Sequence, residues 1–406
     1  TGYQLLQSAW CEEPYKLAWF VRNDGALLSM TYLKEQEVYG WARHDTLGLV
    51  VGMTSVTEPP VNAVYAAVQR FPSYSPNGIY TMERMDNRVW QSVEDAYAVD
   101  SGVSNPMTAP AVTLRASALS GAGVGFQSSG AAFTAASVNQ IIRMNGGIAR
   151  VTAFTSTTQV TGTWILAANP STTGLPFAPA GAWTIAASVA ALNAPHLAGM
   201  TVVGLADGVP IPLPGGPAIV VGATGAITLP FTASDVKVGL PFLAQLQTPY
   251  LNGEQVIQGG RKVIPAVTLR LEASGKYQYG TNQPDGAAQN PPQLGPTWSN
   301  LSVGDPLNAT GGQSPPPTYT SPGGQTVTQL WTGDLRVVGN GADWDSKGQV
   351  AIQQSLPLPL GVTAIMPEVL PGDLPEVTYR PTQGQGGPQE PRRPGRWMIG
   401  TEGPRI

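Results

Sequence analysis

Hydrophobic positions along this chain fall in short runs, each broken by residues that favour turns. Leu17 to Arg22 is an apolar-aromatic run, and Asn23-Asp24-Gly25 follows it as a turn, because these residue types tolerate positive φ. Ala26 to Tyr32, Val38 to His44, Leu47 to Met53, Val61 to Phe71 and Ile79 to Met85 repeat the pattern at a spacing of about ten residues. That rhythm predicts antiparallel strands joined by tight turns. It continues through Thr113 to Ala118, Gly123 to Gln127, Gln140 to Met144, Gly147 to Phe154, Gln159 to Ile165 and Trp183 to Ala187, with Asn145-Gly146-Gly147 as a hairpin turn. Ala135 to Asn139 reads as one helical turn. Met200 to Leu205, Val209 to Leu213, Ala218 to Val221 and Ala226 to Leu229 form a further set. Val267, Leu269 and Leu271 alternate on one face of Arg261 to Glu272, and Val327 to Val338, Gln349 to Gln354 and Val362 to Val369 complete the strands.

The expected fold is therefore all-β. Residues 1–100 read as propeller-like antiparallel blades, 101–190 as a small β-barrel or sandwich, and 191–370 as a C-terminal β domain. Within the last, a loop at 273–325 is rich in Asn, Gln, Pro and Gly, and 371–406 forms a Pro/Gly-rich tail. A blade takes roughly 40 to 50 residues and a closed propeller at least about four blades, so the first unit supplies about two. The chain opens TGYQLLQSAW, without an initiator Met or an export signal. The expectation is that further blades lie upstream.

Composition sharpens this picture. Only 12% of residues are charged, 48 are Gly and 38 Pro, yet 42% are apolar and ten are Trp, enough to build cores. From Ser101 to Ser234 the charged side chains are Arg115, Arg143, Arg150 and Asp207 alone. A lone soluble domain keeps a more charged surface, so this stretch is expected to be covered by other subunits. A net charge of −4 argues against wrapping nucleic acid by phosphate neutralisation. One cysteine, Cys11, and two histidines, His44 and His196, leave no disulfide framework and no multi-cysteine or histidine-rich metal site. Ala178 to Pro195 is too weakly apolar for a membrane span.

Motifs with possible chemistry are sparse. His44-Asp45 resembles half of a hydrolytic set, but neighbours on a strand face opposite ways and no Ser or Glu partner is assignable. Asp343-Trp344-Asp345-Ser346-Lys347-Gly348 begins like a calcium loop, then fails at Lys347 and at Gln354, where oxygen ligands are required. Gly121-Ala122-Gly123-Val124-Gly125 lacks dinucleotide spacing. Glu83, Asp86, Glu94 and Asp95 are candidates for a glycosidase-like carboxylate pair, in numbers ordinary for a surface. Asn300 and Asn308 open chance glycosylation sequons. No catalytic, cofactor-binding or metal-binding set is assigned.

The strings WFVRNDGALLSMTYLKEQEVYGWARHDT, VYAAVQR, IYTMERM and VEDAYAVDSGV resemble the tail nozzle (distal tail-tube) proteins of short-tailed bacteriophages: an aromatic strand, R-x-D-G, TY-x-x-EQ, then W-x-R-H-D. PHLAGMTVVGLADG, VKVGLPF, GRKVIPAVTLRLEASG and WDSKGQVAIQQSLPLPLGVTAIMPEV are similar to that family's C-terminal β region in the same order. Residues 111–188 resemble the module called a ubiquitin-activating-enzyme half-domain, without activity here. The resemblance covers Leu17 to Asp373, apart from a less certain Tyr277 to Gln325. It implies a non-enzymatic virion protein made in the host cytoplasm. Such a protein forms a homohexameric ring below the adaptor or upper tail ring, carries fibres or spikes, and passes duplex DNA without specific binding. Two other readings remain open. One is a carbohydrate- or receptor-binding appendage using Trp41, Trp298 or Trp331, and the other an exported adhesin.

Overall fold

The computed structural model describes residues 2–59, 61–86, 90, 92–172, 174–251, 262–280, 301–308, 314–338 and 348–371. Every sheet is antiparallel, and the helices among the described residues are single 3-10 turns. None is long and apolar enough to cross a membrane. Strands β1 (Leu5–Cys11), β2 (Leu17–Arg22), β3 (Leu27–Leu33) and β4 (Val38–His44) make one meander. Strands β5 (Leu49–Glu58), β6 (Val61–Arg70) and β7 (Ile79–Arg84) make a second. The period-2 alternation of β2 sends Leu17, Trp19 and Val21 inward, where they meet Val50, Met53, Val64 and Val68. Two meanders thus stack face to face, as successive blades do. Gly25 makes the β2–β3 turn at φ +82°, and a Cβ there would lie 2.7 Å from Leu49.

The next strand, β8 (Asp100–Ser104), leaves this unit. It pairs with a strand more than a hundred residues later, so a boundary at 101 misplaces it. The composition shift at Ser101 is real, but strand pairing is non-local and composition does not see it. Strands β9 (Leu114–Ala116), β10 (Val124–Ser128), β11 (Ile141–Met144), β12 (Gly147–Ser156), β13 (Gln159–Leu166), β14 (Phe177–Ala178) and β15 (Thr184–Ala186) curl in the order β14-β9-β10-β13-β12-β11-β15. The two edge strands follow each other in sequence, which draws the open edges together. Leu114, Phe126, Ile142, Val151 and Val160 fill the interior with almost no exposure. Asn145 and Gly146, at φ +49° and +72°, form the expected tight hairpin between β11 and β12.

Strands β16 (Val189–Asn193), β17 (Thr201–Ala206), β18 (Val209–Ile211), β19 (Ile219–Val220), β20 (Ala226–Ala233) and β21 (Val236–Leu240) enclose a third core. β16 pairs with β20, so a division at 191 cuts through a strand. β8 closes the sheet β18-β17-β21-β8. The last region holds β22 (Ala244–Gln247), β23 (Lys262–Ser274), β24 (Tyr277–Gly280), β25 (Ser302–Gly304), β26 (Thr318–Thr320), β27 (Thr326–Thr328), β28 (Trp331–Val338), β29 (Ala351–Gln354) and β30 (Gly361–Pro371). As expected, Val267, Leu269 and Leu271 are buried together. The expected structureless loop at 273–325 is corrected by β24, which lies inside the sheet β22-β29-β24-β25 with Tyr277 and Tyr279 buried. Two β-favouring tyrosines at i, i+2 suffice for a strand, and the polar residues around them hide that signal. The tail beyond Pro371, Trp298 and most of the Asp343–Gly348 motif lie outside the described residues.

Phe126 is fully buried and packs edge-on against Trp164 at 5.1 Å. Phe126→Ala is expected to lower stability by about 3–5 kcal/mol, read as a shift in denaturant midpoint at unchanged slope.

Candidate functional site

The charge-poor centre of the chain makes each of its few charges conspicuous, and the fold shows where they go. Arg143, on β11 of the barrel, donates through Nε to Glu94 Oε2 at 2.6 Å and through Nη2 to Asp207 Oδ1 at 2.8 Å. Glu94 comes from the 3-10 turn Val93–Asp95, which Ser92 and Asp95 close as a capping box. Asp207 sits in the β17–β18 turn at φ +48°, followed by Gly208 at φ +78°, and is wholly buried. Its Oδ1 also accepts from Ser234 N, Ser234 Oγ and Asp235 N at 2.8–2.9 Å. Ser234 Oγ in turn accepts from Arg143 Nη2 at 2.9 Å. Lys237 binds both carboxylate oxygens of Asp235 and the carbonyl of Glu94. One guanidinium thus joins three separate segments of chain.

The electrostatics follow from the enclosure. Burial pushes the Glu94 carboxyl above its ordinary value against the pull of Arg143, and the nearby charges of Asp235 and Asp207 add to the rise. Burial works to lower Arg143, but Glu94, Asp235 and Asp207 more than offset it and hold the guanidinium charged. Burial also raises Tyr319, beside the same cluster. Of the other two charges of this stretch, Arg150 Nη2 donates across to the Pro322 carbonyl of the C-terminal region at 2.7 Å, and Arg115 lies over the Phe177 ring at 5.1 Å.

A second buried guanidinium braces the first unit from within, close to Asp100 of β8. Arg70 is 1% exposed and grips Glu83 with two bonds of 2.8 and 2.5 Å. It also bonds the Thr46 hydroxyl and the Leu47 carbonyl. Burial pushes Glu83 upward, but the bonds and charge of Arg70, with the Thr81 and Ser101 hydroxyls, hold it below the usual carboxylate value. Asp100 is pushed up by burial to about 6, only partly relieved by a bond from Thr46 and the charge of Arg70.

The four candidate carboxylates therefore take different partners. Glu83 serves Arg70, Glu94 serves Arg143, Asp95 caps the backbone of Ser92 at 2.7 Å, and Asp86 lines a small pocket near Cys11. His44 does have a serine partner: Ser29 Oγ lies 2.7 Å from Nε2, and the imidazole stacks on Trp19 at 4.9 Å. Counting the hairpin register back from the Lys34–Gln36 turn would have brought the two residues together. Ser29 is only 5% exposed, and Asp45 accepts from Arg43 Nε at 2.7 Å, so the group acts as a strand-end brace. Cys11 is a buried free thiol 3.2 Å from Ser55 Oγ. Trp331 is buried in the fourth core, whereas Trp41 is open. No cluster able to hold a metal occurs among the described residues.

Arg143→Ala strands two buried carboxylates and is expected to cost about 3–5 kcal/mol, more than Glu94→Gln, as read by chemical denaturation. Asp100 has a folded pKa above its unfolded one, so its stabilising proton is fully bound below the unfolded pKa and lost as pH rises through about 6. Stability from this residue is expected to rise by about 2 kcal/mol between pH 7 and pH 4, a component that Asp100→Asn removes from the melting profile.

No family model and no curated protein matches the chain. Among solved structures, the chain is similar to an exo-β-1,3-galactanase from Phanerochaete chrysosporium, crystallised with β-1,3-galactotriose, at 9% identity. The match covers 87% of this chain and 78% of that one with a TM-score of 0.12, too low to relate the two folds.

Proposed function

We propose that this protein is a non-enzymatic structural subunit of a short-tailed phage tail, one copy of a nozzle ring through which the genome leaves. The observation that carries the reading is the allocation of charge. Of the four charges between Ser101 and Ser234, Arg143 and Asp207 pair with each other, Arg150 binds the Pro322 carbonyl and Arg115 lies exposed over the Phe177 ring, which leaves the barrel a surface dominated by Ser, Thr, Ala and Gly and suited to coverage by neighbouring copies. The ordered resemblance of the strand motifs to nozzle proteins supports the same reading.

Five further arginines among the described residues add a functional detail. Arg22, Arg43, Arg84, Arg270 and Arg336 each face a carboxylate at 2.6–2.7 Å. Arg270–Asp334 and Arg336–Glu368 form a cross-strand ladder on one side of the β28-β23-β30 sheet. An arginine fork already filled by carboxylate grips phosphate weakly, which suits a conduit for DNA.

Two measurements test this. Native mass spectrometry of the full chain is expected to show a closed oligomer, and a monomer at every concentration contradicts the proposal. Fluorescence anisotropy with a labelled duplex is expected to show no binding at physiological salt, and tight, salt-dependent binding contradicts passive passage.

A further inference from the structure

Two ion clusters sit where the modules meet, and in both the carboxylates outnumber the cations by one. The first lies between the exit turn of the first unit, the barrel and the third core. Its cations are Arg143 and Lys237 and its carboxylates Glu94, Asp207 and Asp235, two against three, and each of these side chains is at most 14% exposed. The second lies where β6 and β7 meet β8. Arg70 is its cation, and Glu83 and Asp100 are its carboxylates, one against two. Thr46 bonds the Asp100 side chain there, and Ser101 that of Glu83.

The geometry shows which carboxylate is left over in each. Arg70 directs Nε and Nη2 to Glu83 and Nη1 to Thr46 Oγ1 and the Leu47 carbonyl, so Asp100 is left with the Thr46 hydroxyl. Burial pushes Glu83 up, yet the bonds and charge of Arg70 hold it below the usual carboxylate value, and the surplus falls on Asp100. In the first cluster Lys237 holds both oxygens of Asp235, and Arg143 is shared between Glu94 and Asp207. A protonated carboxyl needs an acceptor for its new O–H. The groups on Asp207 and Asp235 are mostly donors, whereas the Tyr319 hydroxyl of β26 meets Glu94 and can accept. A carboxylate enclosed without its own cation binds a proton instead of staying charged.

We propose that the two clusters are proton latches: Glu94 and Asp100 each hold one proton while the modules are docked, and losing it as pH rises loosens the junction. The charged and titratable groups facing Glu94 are Arg143, Asp235, Asp207 and Tyr319, with Lys237 on its carbonyl, and those facing Asp100 are Arg70 and Glu83. Burial raises both carboxyls, Asp100 to about 6, in the direction the surplus requires. A raised carboxyl stabilises the docked state fully below its unfolded value, and that contribution disappears as pH rises through the docked value. The device is independent of any assembly of copies. It places the pH response at the junctions, not in the barrel interior.

Amide hydrogen exchange of the full chain between pH 5 and pH 8, corrected for the intrinsic pH dependence of exchange, tests the latches. Protection is expected to fall with rising pH at the Ser234 and Asp235 N–H groups that bond Asp207, and along the β21–β8 pairing. At β8 the fall is about tenfold, set by the gap between 3.8 and about 6 for Asp100, while β12 and β13 keep their protection. Glu94→Gln and Asp100→Asn imitate the protonated carboxyls and are expected to flatten the fall, each at its own junction. Asp235→Asn and Glu83→Gln balance the charges by removing the other carboxylate, and are expected to flatten it as well. Carboxyl ¹³C titration of the wild type gives a readout that needs no substitution, with Glu94 and Asp100 both titrating above the ordinary range. Unchanged wild-type protection, or both carboxyls titrating at ordinary values, overturns the latches. A fall that persists in Glu94→Gln and Asp100→Asn puts the protons elsewhere and overturns the assignment. A fall that survives Asp235→Asn and Glu83→Gln shows burial acting alone and overturns the role of the surplus charge.

Discussion

Removing a guanidinium from water costs several kcal/mol unless carboxylates meet it at bonding distance with their remaining lone pairs satisfied. Arg143 meets that demand through Nε and Nη2, while its Nη1 and Asp207 Oδ2 stay buried without a hydrogen-bond partner among the described residues. Its partners come from the turn that ends the first unit and from two turns of the third core, while the arginine itself belongs to the barrel. A local strand slip in any of these segments would leave a buried charge alone, so the ionic cluster enforces one relative placement of the modules. Arg70 does the same inside the first unit, joining β6 to β7 through Glu83 and to the segment before β5 through Thr46 and the Leu47 carbonyl. Neutral hydrogen bonds extend the lock, with Ser73 Oγ donating to the Ala198 carbonyl and Asn105 bridging Ser234 and Val236.

Spending charge on internal junctions has a consequence at the surface. With few charges left over, the barrel presents small polar side chains, and the first unit presents aromatic faces. Both favour coverage by other protein over free solvation. Among the described residues, Arg22, Arg43, Arg84, Arg270 and Arg336 are each paired with a carboxylate. A particle made of such subunits would have rigid modules and charge-poor flanks. Those are the properties that the proposed nozzle requires.

Much of the architecture was legible because burial on one face writes a period-2 signal. Val38–His44 was readable as β4, and Val267, Leu269 and Leu271 were readable as one buried face. Asn145-Gly146 announced its hairpin through φ > 0. What was not legible lacks that signal. β1 is exposed along most of its length, so no alternation marks it, and β8 and β16 pair with strands distant in sequence. β24 hides among Gln and Gly. The buried ion clusters were half visible: four isolated charges in a chargeless stretch signal a purpose, but only the fold brings Glu94 and Asp207 to Arg143. The same holds for Ser29 and His44, which meet through a register that has to be counted across the hairpin.

The central claim is that buried charge locks the modules inside the subunit and leaves the barrel a charge-poor surface for neighbouring copies. Electron cryo-microscopy of the assembled particle tests it most directly. The account predicts a closed ring around a lumen that admits duplex DNA, with the charge-poor barrel of each copy covered by its neighbours. A ring with the barrel surface open to solvent, or a particle without a lumen, would contradict it.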